Sequence, residues 1–161
     1  MKIAALCIVK NEEENIAKSI NSYKDAVDEI IIVDTGSTDN TKSICLDLGC
    51  KVVDYQWKDD FADARNYALS LTDSDWVLFL DADEYFMSPL TVEFRNCVEE
   101  LEHNNVDILK ILTYNIDKSI ERKLNTSYGL KFFKNEKGFK YKERIHEYLD
   151  FNENNVVVAL T

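Results

Sequence analysis

The sequence is poor in several things that would each direct a reading. One proline and four glycines in 161 residues exclude collagen-like repeats, linker-rich stretches and low-complexity tracts. The four cysteines, Cys7, Cys45, Cys50 and Cys97, form no C-x-x-C pair, and the two histidines lie far from them, so no structural zinc site is expected. A chain that is 45% hydrophobic needs no disulfide staples, and Cys7, inside an apolar run, reads as a core thiol. Positive charge is also short: 19 Lys and Arg against 30 Asp and Glu leave a net charge of −11. No basic surface can neutralise a row of phosphates, so nucleic acid is not an expected partner. No stretch approaches the roughly 18 apolar residues of a transmembrane segment. Residues 1–9, MKIAALCIV, are too short an apolar run for a signal peptide, and acidic residues follow at once. A cytoplasmic protein is expected.

What is present reads as α/β. Residues 3–9 and 30–33 are continuous apolar runs of strand length, as in strands buried on both faces. Val52-Val53 marks a third strand and Trp76–Leu80 a fourth. Between them, helical spacing predicts helices over 12–24, over about 40–48 ending at Gly49, and through Phe61, Ala64, Ala68 and Leu71. Asn11 with Glu14 is expected to cap the first helix. Ser88-Pro89 is expected to open another, with Leu90, Phe94, Cys97, Val98 and Leu101 on its inner face. Four alternations of strand and helix imply βαβ units and a mostly parallel sheet. Beyond residue 105 the expectation is strands over 106–114 and 128–134, a polar loop over 115–127, a hairpin-like turn at 135–138 and a final strand over the last eleven residues, 151–161. The length suits a single domain, 1–161.

In open parallel sheets, ligands bind beyond the carboxyl ends of the strands. Three strands here end in polar signatures, Lys10-Asn11-Glu12, Asp34-Thr35-Gly36-Ser37 and Asp81-Ala82-Asp83, and all three should face one edge. Asp81, Asp83 and Glu84 crowd negative charge unless a cation offsets it. Hard divalent ions such as Mn²⁺ or Mg²⁺ take oxygen ligands and bridge carboxylates to substrate phosphates. Glycine-rich phosphate loops, zinc-protease helices and nucleophile elbows are all missing: there is no G-x-G-x-x-G, no G-x-x-x-x-G-K-[ST], no H-E-x-x-H and no G-x-S-x-G.

These residues carry a resemblance. Ile8–Glu13, Ile32–Asp39, Ala64-Arg65-Asn66 and Leu80–Glu84, in this order and spacing, resemble the family 2 glycosyltransferases. Trp57, Asp60-Phe61-Ala62 and Arg144-Ile145-His146-Glu147 resemble a bacterial branch of that family. The resemblance covers about residues 1–149. It implies a GT-A-like sheet flanked by helices with a C-terminal hairpin-like β extension. It implies inverting transfer from a nucleotide-sugar donor, UDP-linked by preference, to an acceptor that is a glycan, lipid or peptide. By the same likeness Asn11 and Glu12 line the nucleoside pocket, and Asp34, with Gly36 in its loop, contacts base or ribose. Arg65 reaches the nucleotide, and Asp81 the ribose or a metal-bound water. Asp83 ligates the metal.

Two departures stand out. Thr35 occupies a position where many relatives carry a second Asp, and no acidic pair offers the family's general base. Glu147 is the nearest candidate base, with His146 beside it as a metal ligand. On an extended strand, neighbouring side chains face opposite ways, so only one of that pair should enter the site. The family usually continues into acceptor-binding helices, so the chain is expected to lack that part. Two other readings remain: a non-catalytic nucleotide-binding module, and a sugar-nucleotide pyrophosphorylase. The latter carries a Gly- and Arg-rich loop where this chain reads Lys10-Asn11-Glu12-Glu13-Glu14.

Overall fold

A computed structural model describes residues 1–117, 122–151 and 157–160. Among these residues, nine strands and four helices follow in the order β1 Ile3–Val9, α1 Ile16–Asn21, β2 Glu29–Asp34, α2 Thr41–Asp47, β3 Lys51–Asp54, α3 Phe61–Leu69, β4 Trp76–Phe79, α4 Phe94–His103, β5 Ile108–Asp117, β6 Arg122–Lys134, β7 Lys140–Lys142, β8 Tyr148–Asp150 and β9 Val158–Leu160. Seven strands form one sheet in the order β3-β2-β1-β4-β6-β5-β9, and β7 pairs with β8 alone. The pairs β3-β2, β2-β1 and β1-β4 are parallel, while β6 runs antiparallel to both β4 and β5.

The period-2 pattern of each strand divides the core. Ile3, Ala5 and Cys7 of β1 face a layer with Ile16 and Ile20 of α1, Cys45 of α2 and Val98 of α4. Ala4 and Leu6 face the other layer, with Ala68 and Leu69 of α3 and Tyr141 and Leu149 of the small sheet. Trp76 and Phe132 stack at 4.7 Å, seaming the parallel half of the sheet to the antiparallel half.

Several local expectations fail for identifiable reasons. Asn11 does not cap a helix: its backbone is left-handed at φ 56°, and its side chain accepts a hydrogen bond from the Thr38 amide at 2.8 Å. The first helix is therefore the short α1, with Asn15 at its N-cap position. Ser88-Pro89 opens no helix. The segment before α4 is tied to the end of α1, where the Leu90 amide donates to the Ser22 carbonyl at 2.8 Å, and Cys97 is exposed. The polar region expected as a loop is largely strand, β5 reaching Asp117 and β6 starting at Arg122. Its β6 side, residues 122–127, is polar apart from Leu124, and the apolar positions Leu112, Tyr114 and Ile116 of β5 are only partly buried; the cross-strand ladder between β5 and β6 holds the arm. The turn at Asn135–Lys137, ending at left-handed Gly138 (φ 65°), makes no hairpin with β6. It sends the chain to β7 on the far face. Of the expected final strand, β9 pairs in parallel with β5, while residues 152–156 and 161 lie outside the described residues.

Candidate active site

Adjacent parallel strands β2, β1 and β4 bring their carboxyl ends to one edge, as their polar endings require. The loops there are cross-tied. The Asn11 amide donates to Ser37 Oγ at 2.9 Å and the Glu12 amide to Thr41 Oγ1 at 2.7 Å. Asp34, only 2% exposed, accepts from the Gly36 and Ser37 amides on Oδ1 at 2.9 and 2.8 Å. Its Oδ2 is buried and has no partner among the described residues. Gly36 has φ 111°, a conformation side chains resist, although a Cβ there would meet nothing within 4 Å.

A cleft of about 620 Å³ opens beside these loops. Glu12, Arg65, Asp81, Asp83, His146 and Glu147 line it, joined by Thr35 and Trp57. Asn11, Asp34 and Gly36 shape the adjoining loop and do not line the cleft. His146 and Glu147 both enter because the segment is not extended: Glu143 and His146 are left-handed at φ 73° and 59°. This segment rests on the turn before α3, where the Phe61 amide donates to the Arg144 carbonyl at 3.0 Å. Asn66 of α3 holds β7 by its main chain, accepting from the Tyr141 amide at 2.8 Å and donating to its carbonyl at 2.9 Å.

Arg65, 8% exposed, lies at the centre of a charged network. Its Nη2 donates to Asp81 Oδ1 at 2.6 Å and its Nε to Glu147 Oε1 at 2.7 Å. The guanidinium sits 4.8 Å from the Phe79 ring and 5.3 Å from that of Tyr141. Lys131 Nζ lies 3.3 Å from Asp81 Oδ2 and 2.9 Å from Glu84 Oε2. Burial alone would raise the Asp81 carboxyl, but Arg65 and Lys131 outweigh it and hold the group below the usual carboxylate range. Burial would likewise lower Lys131, yet Asp81 and Glu84 hold it above its ordinary value.

Both Asp81 oxygens are thus engaged within the chain, whereas Asp83 is exposed. Among the described residues no group of three His, Cys, Asp or Glu is placed to hold a metal by itself. The Asp83 carboxylate and the His146 imidazole, lining one cleft, fit a hard divalent ion that takes its remaining ligands from a substrate.

Lys131 carries no local sequence signal, because its partners Asp81 and Glu84 are remote. Gly129 is a notch for Lys131: a Cβ there would come within 2.9 Å of the Lys131 Cε and 3.1 Å of its Cγ. Gly129→Ala is expected to cost about 1–2 kcal/mol in chemical denaturation, through overpacking against a stem pinned at its tip. In a Lys131→Ala background the same change should be neutral or stabilising, because alanine suits a strand better than glycine. Equal costs in both backgrounds would remove the notch.

The family model described as glycosyl transferase family 2 matches residues 5–154. A TPR repeat-containing protein of Synechococcus elongatus is 32% identical over 151 residues, covering 93% of this chain and 36% of its own length. An uncharacterised glycosyltransferase of Rickettsia felis is 45% identical over 92 residues, 57% of this chain and 32% of that protein. The chain therefore spans about a third of the length of these relatives. Among solved structures, S. aureus TarS 1-349 superposes with a TM-score of 0.66 at 20% identity, over 88% of this chain and 50% of that one. Glucosyl-3-phosphoglycerate synthase from Mycobacterium tuberculosis, in complex with Mn²⁺ and UDP-glucose, gives 0.55 at 25% identity, over 68% of this chain and 43% of that one. The sheet order and the family match agree: the chain belongs to glycosyltransferase family 2, with a GT-A fold.

Proposed function

We propose that this domain binds a nucleotide-sugar, UDP-linked by preference, with a divalent ion at Asp83 and His146, and transfers the sugar with inversion. The observation that carries this reading is the meeting of Asp83, His146, Arg65 and Glu147 in one cleft at the carboxyl edge of the sheet. The M. tuberculosis synthase bound to Mn²⁺ and UDP-glucose supports the choice of donor and ion. In this reading Asn11, Glu12 and the Gly36 turn frame the nucleoside, and a shift of that turn brings Asp34 Oδ2, buried behind it, to accept a hydrogen bond from base or ribose. Arg65 fixes Asp81 and Glu147 before substrate arrives, and Asp81 faces the ribose side. A bound divalent ion supplies positive charge to the departing diphosphate. Glu147 is the candidate base for the acceptor proton; the bond from Arg65 to its Oε1 sets its orientation.

Calorimetry with UDP tests this. In a chain of charge −11, UDP with Mn²⁺ is expected to bind at least tenfold more tightly than UDP with EDTA. Asp83→Ala should abolish the metal-dependent part and His146→Ala should weaken it, both with unchanged melting temperature. Equal affinity with and without the ion would overturn the metal assignment. Release of pyrophosphate from a sugar phosphate and a nucleoside triphosphate would overturn glycosyl transfer.

A further inference from the structure

The turn after β4 carries three carboxylates within four residues, Asp81, Asp83 and Glu84. A divalent ion held through Asp83 requires that the other two be kept from it. We infer that Lys131 is a positioning residue that holds Glu84 across this turn, so that Asp83 is presented to the ion and Glu84 is withheld; this rests on the placing of the ion at Asp83.

The turn is closed twice by the same two residues. The Glu84 amide donates to the Asp81 carbonyl at 3.0 Å, and the Asp81 amide donates to Glu84 Oε2 at 2.9 Å. Asp83 is the third residue of this turn and its side chain is exposed, so the turn sets where its carboxylate lies. Lys131 Nζ reaches the same Glu84 Oε2, at 2.9 Å, and fastens it with a charge-assisted bond. Two of the three carboxylates are thus matched inside the chain. Asp81 meets Arg65 on Oδ1 and Lys131 on Oδ2, and Glu84 meets Lys131. Without Lys131, Asp81 keeps Arg65, whereas Glu84 loses its one cation among the described residues. Glu84 is then free to compete with the diphosphate as an oxygen ligand of the ion.

The backbone is arranged to aim this lysine. Along β6 the ladder with β5 pairs Phe132 with Leu109 and Leu130 with Lys110, so Lys131 is the extra residue of a bulge. A regular strand would put residues 130 and 132 on one face. Here Phe132 packs into the layer of α1, α2 and α4, and Leu130 against the opposite layer. The bulge therefore changes the facing of the strand at Lys131, where β6 runs beside the end of β4. Phe132, the next residue, pairs with Leu78 of β4 and stacks on Trp76, which fixes the base of the lysine to the strand that ends in the turn. Gly129 leaves room for the stem. An interruption of the ladder costs pairing, and its return at this place is an ammonium delivered to Glu84 and Asp81.

Amide hydrogen exchange on the ligand-free full chain, and calorimetry with Mn²⁺ and UDP, test this in Lys131→Met and in Lys131→Met combined with Glu84→Gln. Lys131→Met is expected to speed exchange of the Asp81 and Glu84 amides at least fivefold, with Val77 and Leu78 inside β4 within twofold of the parent. A change of local charge alone acts the other way, since loss of a nearby cation slows base-catalysed exchange. UDP affinity in the presence of Mn²⁺ should fall at least fivefold, while Mn²⁺ alone binds at least as tightly as to the parent, because Glu84 has joined its ligands. A glutamine at 84 can still accept from the Asp81 amide but is a poor ligand, so the double variant should bind UDP with Mn²⁺ within twofold of the parent. If Lys131→Met melts below the assay temperature, Lys131→Gln takes its place with the same expectations. Unchanged exchange at Asp81 and Glu84, or joint loss of Mn²⁺ and UDP binding that Glu84→Gln does not restore, would overturn the inference. UDP affinity indifferent to Lys131 in a parent that binds UDP through the ion overturns it alone, whereas a parent that binds UDP equally well in EDTA removes the ion from Asp83 and the inference with it.

Discussion

Arg65→Met is expected to lower the free energy of unfolding by about 3 kcal/mol, the largest stability loss of any single change in the site. Arg65 spans Asp81 and Glu147 with separate nitrogens of one planar group, at 2.6 and 2.7 Å. Removing it leaves Glu147 without its cation, while Asp81 keeps Lys131 at 3.3 Å. That residual pairing, and the partial exposure of Asp81, place the loss at the low end of what breaking a buried ion pair costs. Arg65→Lys should recover part of it. An ammonium keeps the charge but lacks the rigid fork that meets two carboxylates at once. Denaturation across pH separates charge from packing. The Asp81 carboxyl is depressed in the folded chain, first against its own burial and then by Arg65 and Lys131. Its contribution is therefore complete above the unfolded value of about 3.9 and is lost as pH falls through the lower folded value. The gap between parent and Arg65→Met should narrow below about pH 4. A gap that stays constant into stronger acid would assign the loss to the Phe79 and Tyr141 stacking instead.

Asp34→Asn is expected to weaken UDP binding at least tenfold, about 1.4 kcal/mol, while changing unfolding free energy by less than about 1 kcal/mol. The asparagine oxygen can still accept from the Gly36 and Ser37 amides, so the turn is retained. The change falls on the other atom. Oδ2, buried in the parent without a partner among the described residues and met by a nucleoside once the Gly36 turn shifts, is replaced by an N–H donor, and a nucleoside N–H or O–H brought there meets another donor. Asp34→Ala should lose both the turn and the nucleotide. Calorimetry with thermal melts distinguishes the cases. Unchanged UDP affinity in Asp34→Asn would leave Oδ2 with no part in nucleotide binding.

The parallel half of the fold is legible because strands buried on both faces announce themselves as unbroken apolar runs. Ile3–Val9, Glu29–Asp34 and Trp76–Phe79 are such strands, and their polar ends give the site edge directly. What escapes a linear reading depends on remote bonds. Asn11 has the composition of a helix cap but is claimed by Thr38, 27 residues on. Lys131 looks like any strand lysine until Asp81, 50 residues away, is seen beside it. The β5–β6 arm hides for another reason: β5 alternates through Leu112, Tyr114 and Ile116, but its partner stretch 122–127 is polar apart from Leu124 and shows no period of its own. His146 and Glu147 are legible as types but not as a pair facing the same cleft, because a left-handed turn at a histidine has no composition signature.

The bond between Asn66 and the Tyr141 main chain has a consequence for how this site can diverge. Asn66 stands in for a strand partner, satisfying both the amide and the carbonyl of one residue. It asks nothing of the side chain at 141 beyond a free amide. The strand that leads to Arg144–Glu147 is therefore registered to the same helix that carries Arg65, whatever occupies position 141. That side chain, now a ring packed against Arg65, Phe79 and Phe133, can change among residues of similar bulk while the main-chain bonds keep the register. Position and chemistry of this side of the cleft are thus set by different atoms, and relatives can alter one while conserving the other.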